Sequence, residues 1–433
     1  MTMRPWCVLH YLVVLLAAVS FFGCAVDIAS FEDDFVARTP AQDEVDEAAL
    51  AMPAPTPPAD TPPEERYPRL VDARTPQVEP AAAAQPDESV ERLLRSLSLR
   101  KRIGQRFIAP VQGTRLTYGA GSIITDVTPA GFIIYPWNFR SADEVRTLTE
   151  SLQFLAQQVT PGIGLLLCTD QEGGRVDTFR FDDLVRFPSA ASIGRLRDPD
   201  LVRSAAYITG TQLRRLGVNM NLAPVLDIYE TADDSIIGDR SFGGDPWLVA
   251  SYVMPYLQGA REAGVIATAK HFPGHGVTAV DSHSELPIVA TTLDQLAHRD
   301  LIPFVTAIES GVEVIMTAHV LFENIDPFFP ATLSQVFLRD ILREELGYDG
   351  VVMTDGLEMG AIRDNYSLDE SLIRLFTLDV DLILLYTEYD VVDLVERVER
   401  LHRDGLITAD DIDRGVRRVL RLKLRHGLAE VRL

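Results

Sequence analysis

The chain has 433 residues, 47% of them hydrophobic and 24% charged, enough apolar material for a sizeable core, so a wholly disordered polymer is excluded. With 40 Lys plus Arg against 63 Asp plus Glu, the formal net charge is -23 and there is no basic footprint for a nucleic-acid partner. Only three cysteines occur, Cys7, Cys24 and Cys168, with no CxxC spacing, so neither a disulfide framework nor a structural zinc site is available.

The chain opens with Arg4 and an apolar run from Tyr11 to Phe22, followed by Gly23 and Cys24. A run this short, ahead of small residues, reads as an export signal over residues 1–24 rather than a spanning helix. Phe-Phe-Gly-Cys resembles a bacterial lipoprotein cleavage box with Phe21 in the place of the usual Leu, which makes Cys24 the expected lipidation site. Residues 25–86 hold most of a strongly acidic stretch, with 16 acidic and 4 basic residues from Ala25 to Glu91, and 10 of the 26 prolines lie between Pro53 and Pro86. No apolar residue recurs there at a helical or strand period, so the segment reads as a solvated linker. The expected product is an exported, periplasmic or cell-surface protein, bound to a membrane by its lipid alone.

From Asp87 on, eight apolar runs read as strands: 106–111, 131–137, 162–170, 219–227, 264–272, 312–320, 350–356 and 380–388. Helix-period segments fall between them, such as 142–158, with Val145, Leu148, Leu152 and Leu155 on one face, and 333–346. The last helix, 409–427, opens with acidic residues and closes with Lys423, Arg425, His426 and Gly427, matching dipole sign and cap preference. Eight near-continuous apolar runs alternating with helices favour an α/β fold of the (β/α)8 TIM-barrel type over residues 87–433. Polar residues collect at the ends of many different runs, namely Asp170, Asp227, Lys270 with His271, His319 and Asp355, which a barrel explains. No GxGxxG follows the first run, as a dinucleotide-binding sheet would require.

The densest chemistry lies in residues 270–287, where Lys270, His271, His275, Asp281 and His283 fall within fourteen positions around Pro273, Gly274 and Gly276. Together with TDQEGGRV (169–176), IIGDRSFG (236–243), KHFPGHG (270–276), DSH (281–283), MTAH (316–319) and VVMTDGLEMGAI (351–362), this ordered set resembles the glycoside hydrolase family 3 β-N-acetylhexosaminidases. The resemblance covers roughly residues 88–430. It implies a single catalytic barrel acting on terminal β-linked GlcNAc of peptidoglycan fragments or chitooligosaccharides, with no cofactor and no metal, as a monomer.

The resemblance also assigns roles. Asp355, at the end of a buried run and followed by Gly356, becomes the nucleophile of a retaining reaction. His283 becomes the acid/base, a role an imidazole with an ordinary pKa of about 6.5 can fill, and Asp281 orients it. Asp170, Arg240, Lys270 and His271 are implied as sugar-binding residues, and Gly274 and Gly276 are expected to let the loop swing over the sugar. Two positions depart from the family pattern. Thr178 stands where an arginine is usual eight residues after Asp170, with Arg175 and Arg180 nearby as substitutes, and Val277 follows KHFPGHG where Asp is common. Glu172, Glu358 and His275 are read as structural.

Rival readings remain open at this stage. A family 3 β-glucosidase or glycoside phosphorylase would share the barrel. A metal-dependent barrel hydrolase lacks its usual His-x-His at the first run and HExxH elsewhere. A Schiff-base lyase through Lys270 and a noncatalytic sugar-binding lipoprotein are further alternatives, the latter at odds with an intact set of Asp355, Asp281 and His283.

Overall fold

A computed structural model describes residues 88–160, 162–229, 236–276, 278 and 280–431. The leader at 1–24 with Cys24, the linker at 25–86, and Val277 lie outside the described residues. All eight sequence-derived runs contain a barrel strand: β1 (Phe107–Pro110), β2 (Gly131–Ile133), β3 (Leu166–Thr169), β4 (Met220–Asn221), β5 (Ile266–Phe272), β6 (Val314–Thr317), β7 (Val351–Gly356) and β8 (Leu382–Leu384). Each pairs in parallel with its neighbours in sequence, and β8 closes on β1 through Phe107 opposite Ile383, so the sheet is a closed (β/α)8 barrel.

Alternation along the strands builds two cores from one apolar sequence. Ile108, Ile133, Leu166, Cys168, Met220, Ile266, Val314, Met316, Val351, Met353, Leu382 and Leu384 form one buried cluster, while Phe107, Phe132, Leu167, Ile315, Val352 and Ile383 belong to a second that includes the surrounding helices. Because both faces are covered, the strands carry no polar alternation, which is why they read as continuous runs.

The strands are shorter than the runs for physical reasons. Pro224 has no N–H to give a ladder, and the regular strand of the fourth run ends at Asn221, although Ala223 O and Pro224 O still accept from Thr268 and Lys270 and Val225 bridges Lys270. The segment before β3 turns away, where Ile163 bridges Ala429 antiparallel. The helix read at 142–158 is Ala142–Val159, started by the Ser141 hydroxyl accepting from the Glu144 N–H. The one read at 333–346 is a π-helix, Val336–Glu345.

The last helix, Ala409–Arg425, opens on a Thr408/Asp411 capping box. It sends Val419 and Leu422 into the barrel-strand cluster. One expectation needs correction here. Lys423 does not serve the helix C-terminus from solvent; it is fully buried, and its Nζ donates to Gln105 Oε1 at 2.8 Å. Residue 423 lies three positions past Leu420 on the inward stripe, so helical phase overrides the dipole argument.

Candidate active site

The ends of β3 to β7 bring five charged or imidazole-bearing segments to one mouth of the barrel. The residue after β3, Asp170, accepts from Lys270 Nζ at 2.7 Å, and Glu172 accepts from the same nitrogen at 2.8 Å. Glu172 is also gripped by Arg240, whose Nε and Nη2 each lie 2.8 Å from a carboxylate oxygen. Lys270 is only 2% exposed. Burial pulls its pKa down, yet Asp170 and Glu172 outweigh that and hold it above the ordinary lysine value. For Glu172 burial pushes upward, but Lys270 and Arg240 carry its pKa down to about 2. The four side chains are thus a mutually paired floor, and Glu172, read as structural from sequence, is its hub.

Beside this floor stands Asp227, fully buried past β4. Its Oδ1 accepts from the backbone N–H groups of His271 (3.2 Å) and His275 (2.7 Å), and its Oδ2 lies 2.7 Å from His271 Nδ1. An acceptor-only carboxylate makes that ring nitrogen the donor, which turns His271 Nε2 toward Asp355, 3.9 Å from Oδ2. Burial would raise Asp355, but His271, His319, the Gly356 N–H at 2.8 Å and Lys270 together hold it well below the ordinary carboxylate range. Its side chain is 22% exposed, so it is ionised and reachable from the mouth. His319, buried and lowered chiefly by that burial, donates from Nε2 to Gly356 O at 3.0 Å and meets the Thr332 hydroxyl at 2.8 Å through Nδ1. It braces the turn that carries Asp355.

Asp281 and His283 sit on the long loop after β5. His283 Nδ1 lies 2.8 Å from Asp281 Oδ1, which also accepts from the His283 N–H at 3.0 Å, leaving Nε2 pointing outward on an imidazole 69% exposed. The loop is tied down from within. His275 Nε2 meets Ser282 Oγ at 3.0 Å, and the N–H groups of Gly360 and Ala361, just past β7, donate to His283 O and Ser282 O. Burial drives His275 down to about 4, so it is neutral near pH 7 and a structural partner. The glycines expected to free the loop are also required by close packing. A Cβ at Gly276 would lie 2.0 Å from Ile228 O, and Gly274, at φ +145, faces Asp300 at 2.8 Å.

Every described sequence-derived site residue therefore lies at this mouth, but in three groups: the paired floor of Asp170, Lys270 and Arg240; the His271/Asp355 pair; and the Asp281/His283 loop. Thr178 Oγ1 donates to Asp170 O at 2.7 Å and fixes the backbone under the carboxylate. The two suggested substitutes have other partners. Arg175 pairs with Asp239 and the carbonyls of Ile236 and Ile237, and Arg180 donates to Asp177 O and Arg175 O. Sequence reasoning missed Asp227 as the orienter of His271, although it was visible as a strand-end carboxylate. It also missed Ser282 and Thr332, which carry no pattern of their own.

Comparison with known proteins gives a consistent picture. Residues 98–422 match the family described as "Glycosyl hydrolase family 3 N terminal domain". The chain is 38% identical over 255 residues to a beta-hexosaminidase of Thiobacillus denitrificans, covering 58% of this chain and 69% of that protein. It is 33% identical over 335 residues to beta-hexosaminidase LpqI of Mycobacterium tuberculosis, covering 76% and 83%. Among solved structures it is similar, at TM-score 0.74 and 39% identity, to a glycoside hydrolase family 3 beta-N-acetylglucosaminidase from Paenibacillus sp., covering 78% of this chain and 65%, just under two thirds, of that one.

Proposed function

The chain belongs to glycosyl hydrolase family 3, and from that premise and the geometry of its barrel mouth we propose that it is a retaining exo-β-N-acetylhexosaminidase. It hydrolyses terminal β-linked GlcNAc from peptidoglycan fragments or chitooligosaccharides. The observation that carries the reading is the coexistence, at one mouth, of an ionised and reachable carboxylate, Asp355, with an Asp–His pair on a separate loop.

In the first step an Asp355 oxygen attacks the anomeric carbon as the glycosidic C–O bond breaks, and His283 Nε2 gives its proton to the departing oxygen. Asp281 holds Nδ1 and stabilises the charged imidazole. In the second step His283 takes a proton from water, the water oxygen bonds to the anomeric carbon, and the Asp355 ester bond breaks, so configuration is retained. Asp170, Lys270, Arg240 and His271 bind the sugar hydroxyl and acetamido groups. The floor is already charged and paired, so it needs little rearrangement when a sugar arrives. His283 is exposed on its loop, where its ring can meet the leaving group.

The leader and linker extend the same reading. Lipidated Cys24 would hold the exported enzyme to a membrane, with residues 25–86 as its tether. The test is direct: purified protein should release nitrophenol from the β-N-acetylglucosaminide far faster than from the β-glucoside, and Asp355→Ala should abolish it. Equal or reversed preference would favour the β-glucosidase or phosphorylase reading.

A further inference from the structure

The mouth of the barrel is divided. The arc from β3 to β7 carries the charged and imidazole side chains, whereas the remaining arc, β8 to β1 to β2, carries aromatic rings. Tyr135 and Trp137 follow β2 by two and four residues, and Tyr386 follows β8 by two, so all three rise at the same end of the barrel as Asp170 and Asp355. They form one cluster. Tyr135 and Trp137 stack with centroids 4.4 Å apart at 22°, and Tyr386 stands T-shaped to both, at 5.1 Å and 67° to Tyr135 and 5.9 Å and 80° to Trp137.

Two features make this more than a scatter of exposed rings. First, it is held in place from below. Asn138 accepts from the Tyr135 N–H at 2.9 Å and donates to Val111 O and Gly113 O at 2.8 and 3.0 Å, locking the Tyr135–Trp137 turn to the loop after β1. Glu358, three residues past Asp355, accepts from the N–H groups of Tyr386 and Tyr389 at 2.8 and 3.4 Å, locking the loop after β8. Second, it grades from inside to outside. Tyr135 is partly buried and packs against the barrel-strand cluster that includes Cys168 and Leu384, so it is the inner ring of the three. Trp137 is 49% exposed and Tyr386 43%, though Tyr135 already covers one indole face. About half of the Trp137 surface therefore remains exposed at the rim.

Resting on the hexosaminidase reading above, we propose that the exposed part of the Trp137 indole, backed by Tyr135 and Tyr386, is the binding surface for the pyranose ring on the leaving-group side of the scissile bond. The terminal sugar needs hydrogen-bond partners for its hydroxyls and must sit over Asp355, which the buried charged arc supplies. The next ring lies outward from it, offers an apolar face of C–H groups, and needs a flat, rigid, half-exposed surface. Rings fixed by buried side-chain brackets cost little to order on binding. The site therefore selects a leaving group that is itself a sugar over a small alkyl group.

The test compares two substrates with the same terminal GlcNAc: chitobiose, whose leaving group is a pyranose, and methyl β-N-acetylglucosaminide, whose leaving group has no ring. For Trp137→Ala the ratio of kcat/KM for chitobiose to that for the methyl glycoside should fall roughly tenfold, the fold-change ordinary for one aromatic contact. Trp137→Phe, which keeps a flat face, should restore most of the ratio, and Tyr386→Ala should lower it less than Trp137→Ala. An active wild type whose variants keep the wild-type ratio, whether both substrates are lost equally or neither is, overturns the platform alone. A wild type inert toward both substrates overturns the hexosaminidase reading and the platform with it.

Discussion

Lys270 keeps its charge where water barely reaches, and it can do so only because Asp170 and Glu172 share it. Removing one member of such a set leaves the others charged and unpaired, which is the costly change, about 3–5 kcal/mol. Glu172→Gln should therefore lower stability by that order and raise KM by loosening Arg240 and Lys270; urea unfolding and initial-rate kinetics check the two effects. The pH dependence has a definite sign. The folded pKa of Glu172 lies below its ordinary value, so its contribution is full above about 4.5 and is lost as pH falls toward about 2. The stability gap between wild type and the variant should narrow over that window and stay constant above it. From sequence Asp170 and Lys270 were legible as strand-end polar groups and Arg240 through the family pattern, whereas Glu172 read as structural. Their pairing was not legible, since it joins residues 68 and 100 positions apart in the chain.

At the scale of elements, the last helix tests how the barrel is closed. Arg106, wholly buried, donates to the carbonyls of Val380 and Asp381 beside β8 and of Asp411 and Ile412 in the helix, tying β1 to both. Burial lowers its pKa to about 10, still charged at neutral pH. Its guanidinium lies against Gly415, where a Cβ would come within 2.5 Å of Arg106 Cζ. In an ordinary helix Gly→Ala stabilises by about 0.5–1 kcal/mol. Here Gly415→Ala should lower the melting temperature, because four carbonyls keep the guanidinium from moving aside. On the same helix, burial pushes the Lys423 ammonium down to about 7 from an ordinary 10.5. The unfolded chain then binds more protons between those values, so the lysine's penalty grows as pH falls from about 10.5 to about 7 and is constant below. Lys423→Met should accordingly be more favourable, relative to wild type, at pH 7.5 than at pH 10, by urea midpoints at both. The helix itself was plain in the sequence. The inward turn of Lys423 was not, because a basic residue in a last turn suits the dipole whether it faces solvent or the core, and only packing decides.

For the whole molecule, the eight apolar runs and the polar residues at their ends were enough to specify a closed barrel and to gather the candidate site at one mouth. Periodicity carries that information directly. Strand lengths, the π-helix at Val336–Glu345 and the division of the mouth into a charged and an aromatic arc depend on which turns follow each strand, and no local pattern encodes them. The net charge of -23 also divides, with a net of -12 in the stretch from Ala25 to Glu91. If that stretch is mainly a tether, a chain beginning at Asp87 should keep the kcat/KM of the full chain on the nitrophenyl substrate, and Cys24→Ser should move the full chain from the membrane fraction to the soluble one. Equal membrane retention of the Ser variant would count against lipidation.

The central claim is a covalent sugar on Asp355 whose breakdown requires His283. Mass spectrometry of His283→Ala mixed with nitrophenyl β-N-acetylglucosaminide tests it most directly, because an activated leaving group needs no proton while the second step still needs a base. One N-acetylglucosaminyl group should accumulate on the peptide carrying Asp355 and be absent when Asp355 is also replaced by Ala. Continued turnover with no adduct, or an adduct on another residue, would contradict the account.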